Sequence, residues 1–173
     1  MSMGHSTCMS GTMDLHWREM IMNVQVREAT EDDVAETMPL FVDLYRGDLG
    51  EHFVEILTEY VTVAAHCVLV AIRKDRIVGV LVGSYRLDID YECRAGFVDA
   101  VIVDKDCRGQ GIGKTLLRSF ADWAAAKGCT AIQVMNARPH FFESIGFQER
   151  PCVLHQVSPA TLSASPPAED HVS

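Results

Sequence analysis

The sequence predicts a mixed α+β domain, in which a mostly antiparallel sheet carries helices on both faces. Two apolar segments typical of strands, HCVLVAIRKD and RIVGVLVGSYRLD, adjoin at Lys74 and Asp75 and predict an antiparallel hairpin, with a longer turn that includes Arg76 as the alternative. Further along, a strand, an amphipathic helix and another strand follow one another, as in the crossover that joins parallel strands. Antiparallel strands first and a crossover later give a mixed sheet. With 173 residues, 48% of them hydrophobic, the chain is long enough for one such core.

The elements before the hairpin are a short strand and two helical stretches. The strand covers residues 24–28. Thr30 is placed to cap a helix that runs from Glu31 to about Thr37, with Asp33 as the acidic partner of the cap. A second helical stretch is predicted over residues 49–60.

After the hairpin, a strand over residues 95–104 leads through a glycine-containing turn into the longest predicted helix. Gly128 marks the end of that helix. Its apolar residues recur with a period of 3.6 and are Ile112, Leu116, Leu117, Phe120, Trp123 and Ala124. A strand over 130–135, a short helix over 139–144 and a last strand over 152–157 complete the order.

The turn itself, CRGQGIGKTLL, contains the residue types of three phosphate-binding motifs. A P-loop requires glycine where this chain has Arg108, and a dinucleotide fingerprint requires glycine where it has Lys114. What remains is a glycine-rich strand-to-helix turn, whose exposed N–H groups and positive helix dipole favour an anion. An ordinary turn without a ligand is the alternative.

Two motifs together make a more specific pattern. Arg108, Gly111 and Gly113 match [Q/R]-x-x-G-x-[G/A], and HFFESIGF matches F-Y-E-x-x-G-F through Phe141, Glu143, Gly146 and Phe147. In both motifs and in their separation by one helix and one strand, residues 24–157 resemble the Gcn5-related N-acetyltransferase (GNAT) superfamily. The resemblance implies a central sheet of six to seven strands and acetyl-coenzyme A as co-substrate.

The resemblance also implies where acetyl-CoA binds. Its pyrophosphate is expected on the amides from Gly109 to Lys114, and its pantetheine arm along the backbone from Val101 to Val103. The expected cofactor-binding residues are Val101, Ile102, Val103, Arg108, Gly109, Gln110, Gly111, Ile112, Gly113, Lys114, Asn136, Phe141 and Phe142.

Asp99 is the candidate catalytic residue, because it is an acid inside an otherwise apolar strand. Strand alternation predicts Phe97, Asp99, Val101 and Val103 on one face and Val98, Ala100 and Ile102 on the other. Family members often carry an acid here to receive the amine's proton, directly or through water. A structural carboxylate paired with an arginine is the alternative. Asp88 and Asp90, with Asp99, are expected to bind a cationic substrate; a solvated acidic loop is the alternative for the first two.

Phe142 departs from the family pattern, which often has tyrosine there as general acid for the leaving sulfur. A thiol of pKa ~8.5 leaves as thiolate at pH 7 at a cost of only about 2 kcal/mol. The substitution is therefore expected to slow the reaction without abolishing it.

The resulting prediction is an N-acetyltransferase that moves acetyl from acetyl-CoA to a primary amine of a small molecule, by direct attack in a ternary complex. The alternatives are a non-catalytic acyl-CoA-binding or regulatory module and a nucleotide phosphate-binding protein. A net charge of −9 argues against nucleic acid as a partner. No apolar run reaches the length of a membrane span, and the six cysteines contain no C-x-x-C pair that would indicate a metal site.

The domain is expected to cover residues 23–158. Residues 1–22 are interpreted as an N-terminal extension and the Pro/Ser/Ala-rich residues 159–173 as a disordered tail. The N-terminal segment lacks the basic region and apolar core of a signal peptide, which favours a cytoplasmic location. A homodimer is expected by analogy with the fold.

Overall fold

The computed structural model describes residues 24–89, 92–135 and 139–148. The chain divides into two compact units between residues 136 and 137. The predicted strand over 152–157, the extension over 1–22 and the tail over 159–173 lie outside the described residues. Within the described ranges, no helix is both long and apolar enough to cross a membrane.

Five strands of the first unit form one sheet in chain order. They are β1 (Gln25–Glu28), β2 (His66–Arg73), β3 (Arg76–Asp88), β4 (Cys93–Val103) and β5 (Ala131–Val134). Neighbouring strands are antiparallel except β4 and β5, which are parallel. The predicted mixed, mostly antiparallel sheet is thus confirmed, and the described part contains five of its expected six to seven strands.

The turn between β2 and β3 consists of two residues, as predicted. Lys74 and Asp75 have φ angles of 52° and 58°. Two successive residues with positive φ are the signature of a type I′ turn, whose twist matches that of the flanking strands. Arg73 therefore pairs directly with Arg76, and this tight turn sets the register of the hairpin.

One face of the sheet is covered by helices α1 (Val34–Leu44) and α2 (Phe53–Thr62). Both differ from the predicted bounds. A 3₁₀ turn at Glu31–Asp33 precedes α1, which continues through Pro39 because Leu40 and Phe41 are buried against the sheet. The core on this face consists of Val34, Leu40, Phe41, Leu57, Val68, Val70, Ile77, Val80, Val82 and Ile102.

The start of the 3₁₀ turn is fixed by the predicted cap. The Asp33 carboxylate accepts hydrogen bonds from the Thr30 backbone N–H at 2.7 Å and from the Thr30 hydroxyl at 2.9 Å. Arg27 donates to both carboxylate oxygens at 2.7 and 2.8 Å. This one buried carboxylate thereby joins β1 to the turn before α1.

The other face of the sheet is covered by helix α3 (Ile112–Ala126). Glycines in the strands let it approach closely. A Cβ at Gly83 would lie 2.7 Å from the Phe120 ring, and one at Gly96 would lie 3.3 Å from the Ala124 Cβ. Lys127 and Gly128 close the helix, and Gly128 has a φ of +77° that suits this C-terminal position.

Strand β4 contains a β-bulge at Asp99. Val82 pairs with Ala100 but its neighbour Gly83 pairs with Val98, so Asp99 is an extra residue. The predicted alternation is therefore wrong across this point. Phe97 lies on the α1/α2 face with Ala100 and Ile102, whereas Val98 lies on the α3 face with Val101 and Val103.

The second unit contains the short helix α4 (Pro139–Glu143), close to its predicted bounds. The Phe142 ring packs edge-on against Phe141 at a centroid distance of 5.0 Å and against Phe147 at 5.4 Å. Phe142 is buried.

Candidate active site

Within the described ranges, the C-terminal half of β4 has one unpaired backbone edge. Pairing of β4 with β5 ends at Val98 and Val134, and no described residue pairs with β4 on that side beyond this point. The Asp104 N–H bonds to the Val78 carbonyl on β3. Since backbone groups alternate along an antiparallel strand, Ile102 also faces β3, while Val101 and Val103 direct their N–H and C=O groups to the free edge.

The glycine-rich turn follows this edge directly. Gly109 and Gly111 have φ angles of +76° and +81°, which glycine adopts without strain. Gly111 caps α3, and its carbonyl accepts the first helical bond, from the Thr115 N–H. The amides of Ile112, Gly113 and Lys114 precede that bond and have no partner within the helix. They form a donor group at the positive end of the helix dipole.

Two arginines hold the turn in place. Arg73, the last residue of β2, donates to the Gln110 side-chain oxygen and to the Cys107 sulfur, the latter at 2.9 Å. Arg108 donates through Nε to the Val103 carbonyl and through a terminal nitrogen to Asp43, both at 2.9 Å. Side chains of Arg108 and Gln110, both expected at the cofactor, are thus engaged in supporting the loop.

The bulge places Asp99 within a group of polar and aromatic side chains on the α1/α2 face. We call this group the acceptor cluster, and define it as Tyr60, His66, Arg86, Phe97 and Asp99. Tyr60 of α2 stacks on His66 of β2, with ring centroids 4.0 Å apart. The Tyr60 hydroxyl interacts with the Asp99 carboxylate. His66 Nδ1 is buried and has no hydrogen-bond partner among the described residues.

The surroundings of Asp99 disfavour its charged form. The protein packed around the carboxylate raises its pKa, and this desolvation outweighs the opposing effects of Tyr60, His66 and Arg86. Desolvation also raises the pKa of the Tyr60 hydroxyl, and the nearby Asp99 charge adds to the rise. Asp99 nevertheless remains open to solvent, so an incoming ligand can reach it.

The other predicted site residues are distributed differently. Asp88 accepts a hydrogen bond from Gln133 on β5 at 2.7 Å, which gives it a partner within the sheet. Asp90 and Asn136 lie outside the described residues. Phe141 and Phe142 belong to the second unit. Within the described ranges, no group of three or more metal-ligating side chains converges.

Sequence reasoning missed Tyr60, His66, Arg86 and Arg73. Tyr60 fits the amphipathic pattern of α2 and was interpreted only as part of a helix. The others are strand residues whose neighbours depend on register. Only Arg86 could have been singled out from the sequence, because a charge near the end of an apolar strand is unusual. Its proximity to Asp99 follows only from strand pairing.

The comparisons with known proteins agree with this geometry. Residues 34–152 match the family model described as "Acetyltransferase (GNAT) family". The chain belongs to the GNAT acetyltransferase family. The match begins with α1 and continues past α3, β5 and α4, so it includes the bulge, the glycine-rich turn and both sequence motifs that carried the resemblance.

Individual relatives are more distant. A 60-residue segment is 33% identical to glucosamine 6-phosphate N-acetyltransferase 1 of Oryza sativa subsp. japonica, and spans 33% of this chain and 36% of that enzyme. A transcriptional regulator from Bacillus halodurans C-125 superposes with a TM-score of 0.67 and 26% identity, over 77% of this chain and 99% of that one. The aminoglycoside acetyltransferase AAC(6′)-Iy, bound to a bisubstrate analogue of CoA and acetylneamine, gives a TM-score of 0.71 at 17% identity, over 78% and 97% of the chains.

Proposed function

We propose that the protein transfers an acetyl group from acetyl-CoA to a primary amine of a small molecule, by direct attack in a ternary complex. The observation that carries the proposal is the bulge at Asp99. The unpaired edge of β4 starts at this residue and leads to the glycine-rich turn, while the Asp99 side chain lies in the acceptor cluster. The bulge therefore brings the proposed binding sites of the two substrates together.

On the cofactor side, the pyrophosphate would rest on the amides from Gly109 to Lys114. The exposed cations Lys114 and Arg118 on the first turns of α3 add favourable charge. The pantetheine arm would bond to the outward carbonyl of Val101 and to the N–H of Val103, whose carbonyl already accepts from Arg108. The first outward N–H after the bulge, that of Val101, would then polarise the thioester carbonyl.

On the acceptor side, Asp99 would hold the ammonium form of the substrate. Releasing a proton from an amine of pKa ~10.4 at pH 7 costs about 4.6 kcal/mol, a cost that an enzymatic barrier can contain. The raised pKa of Asp99 makes this carboxylate a better proton acceptor than an ordinary aspartate. The proton passes to Asp99 or through it to water, the amine nitrogen bonds to the acetyl carbon, and the C–S bond breaks to give CoA thiolate.

The nature of the acceptor amine is supported by two relatives of this GNAT domain. The rice relative is named for a sugar amine, and AAC(6′)-Iy was solved with an acetylated aminoglycoside attached to CoA. Both indicate a small polar amine. A homodimer stays a prediction, which sedimentation analysis would test.

Thiol release tests the proposal. Purified protein is incubated with acetyl-CoA and a panel of small amines, and free CoA is measured; calorimetry with acetyl-CoA and with ATP is run in parallel. We expect acetyl-CoA to bind more tightly than ATP and at least one amine to accelerate thiol release. Binding of acetyl-CoA without acceleration by any amine would favour the regulatory alternative, which the similarity to a transcriptional regulator also supports. Tighter binding of ATP would overturn the assignment.

A further inference from the structure

Arg86 is the exposed guanidinium of the acceptor cluster. Its Cζ lies 3.6 Å from the centroid of the Phe97 ring, within the range of a cation–π contact. Among the residues that the structure describes, the Arg86 side chain has no hydrogen-bond or ion-pair partner. Its edge N–H donors are therefore available, in a fork that matches a carboxylate or phosphate group.

Strand register places Arg86 on the same sheet face as the rest of the cluster. On the β4 side of β3, Arg86 pairs with Ala95 and Ser84 pairs with Phe97, so Arg86 and Phe97 share a face. On the β2 side, Ser84 pairs with His66, which puts His66 on that face too. Arg86 is close enough to Asp99 to oppose the rise of its pKa. One carboxylate and one guanidinium thus border the same solvent-open region.

A comparison within the chain shows that Arg86 is not simply the structural partner of Asp99. Where this fold uses an arginine to neutralise an aspartate, Arg27 contacts both oxygens of Asp33 at 2.7 and 2.8 Å. Arg86 and Asp99 form no such pair. Both groups are left able to meet a ligand of opposite charge.

We propose that the acceptor carries a carboxylate or phosphate a few bonds from its primary amine, and that Arg86 binds this anion while Asp99 faces the amine. The inference rests on the proposed acetyl transfer and narrows its substrate class. A purely cationic amine, expected from the sequence, would satisfy Asp99 and leave the Arg86 fork without a ligand. His66, whose buried Nδ1 has no hydrogen-bond partner among the described residues, lies on the same face.

Matched pairs of acceptors test this inference. Glucosamine 6-phosphate is compared with glucosamine for phosphate, and 4-aminobutyrate with butylamine for carboxylate, in each case by kcat/KM in the thiol-release assay. We expect the anionic member of at least one pair to be preferred by about tenfold or more, the scale of a charge-assisted hydrogen bond. The pair that shows the preference identifies the kind of anion.

Two variants separate Arg86 from general charge effects. Arg86→Gln should bring the preference close to one, and Arg86→Lys should keep part of it, because lysine retains the charge without the fork. Arg94→Gln is the matched control: Arg94 lies over Tyr85 at 5.1 Å, but its pairing with Leu87 puts it on the α3 face. It should keep the preference of the unaltered protein.

The outcomes distinguish the two proposals. Turnover of both members of each pair at equal rates would overturn this inference alone and leave acetyl transfer standing. A preference that survives Arg86→Gln would also overturn it, because another group would then bind the anion. Absence of thiol release with every amine, while acetyl-CoA binds, would overturn the proposed function and this inference with it.

Discussion

Asp33 and Asp99 both have an arginine nearby, yet their surroundings displace their pKa values in opposite directions. Hydrogen bonds from Arg27, followed by those from Thr30, hold the pKa of Asp33 far below its usual range. Burial raises the pKa of Asp99, and its neighbours only partly compensate. The difference is one of geometry, since Asp33 receives directed donors on both oxygens while Asp99 does not. The first carboxylate stabilises the fold and the second remains available for chemistry.

Asp33→Asn should lower the free energy of unfolding by about 1–3 kcal/mol at pH 7, because a buried charged network loses a partner. A depressed folded-state pKa means that the carboxylate stabilises the protein fully above the unfolded-state value of ~3.9. The difference in unfolding free energy between the parent and the variant should therefore shrink as the pH falls below that value towards the folded-state pKa. Urea unfolding of both proteins across this range measures it. Glu31→Gln, an exposed acid in the same turn, should change little, and a pH-independent difference would contradict the account.

Asp99→Asn should reduce kcat/KM for the amine by about 10²-fold or more, with the Kd for acetyl-CoA unchanged. The raised pKa means that the folded state binds the Asp99 proton more tightly than the unfolded state does, so ionisation of Asp99 costs stability as the pH rises. The variant should therefore melt no lower than the parent at pH 7. Kinetics, calorimetry and thermal melting report these three effects. Asp122→Asn, in an exposed position on α3, is the control. A lower Tm with intact kinetics would instead assign Asp99 a structural role.

At the scale of elements, the sequence predicted what depends on local pattern and missed what depends on register. The hairpin at Lys74 and Asp75 and the helix before Gly128 follow from turn chemistry and periodicity. The bulge at Asp99 does not, because an extra residue is recognised only against the partner strand. The sequence therefore predicted the wrong faces for Phe97 and Val98 relative to the residues after Asp99, and it did not predict the acceptor cluster.

The contact of α3 with the sheet should be sensitive to one methyl group. Gly83→Ala would place a Cβ 2.6 Å from the Phe97 carbonyl and 2.7 Å from the Phe120 ring, beside the bulge. Because neither group can move freely, we expect a loss of about 1–3 kcal/mol in unfolding free energy. Gly96→Ala, with its nearest contact at 3.2 Å, should cost less. Equal effects of the two substitutions in chemical denaturation would count against the packing described.

The glycine-rich turn can be tested with a variant that controls for backbone strain. Gly111→Ala and Gly128→Ala both place alanine at positive φ, +81° and +77°, at opposite ends of α3. Each should lower stability by roughly 1 kcal/mol. Only Gly111→Ala should also weaken acetyl-CoA binding, because its methyl group changes the backbone at the expected pyrophosphate site. Calorimetry measures the affinity of each variant for acetyl-CoA. Equal affinities of the two variants would remove the turn from the cofactor site.

At the scale of the whole molecule, the sites proposed for the two substrates lie on one continuous strand. Such an arrangement permits direct transfer between bound ligands without an acylated protein. Two of the four thiols in the described ranges also disfavour an acylated protein. Cys67 and Cys107 are buried, and burial raises the pKa of Cys67 to about 12, so it is a poor nucleophile at neutral pH.

Initial-rate kinetics should therefore give intersecting rather than parallel double-reciprocal lines. Mass spectrometry of protein incubated with acetyl-CoA alone should show no gain of an acetyl group. Addition of a productive amine should yield the acetylated amine and free CoA. An acetyl-protein that forms and then decays on adding amine would establish a two-step route and exclude direct attack.

The extra residue in β4 also matters for how this protein could be altered. It divides the strand into two halves, and the sheet face occupied by odd-numbered residues differs between them. Residues before Asp99 can therefore be exchanged to suit another amine while the backbone after it keeps its proposed contacts with acetyl-CoA. Removing Asp99 would allow β4 to pair with β3 without interruption, and the residues on both sides would keep their present partners and faces. Neither half of the strand therefore needs the extra residue for its pairing, and what a deletion would remove is the carboxylate and the irregular backbone between the two halves.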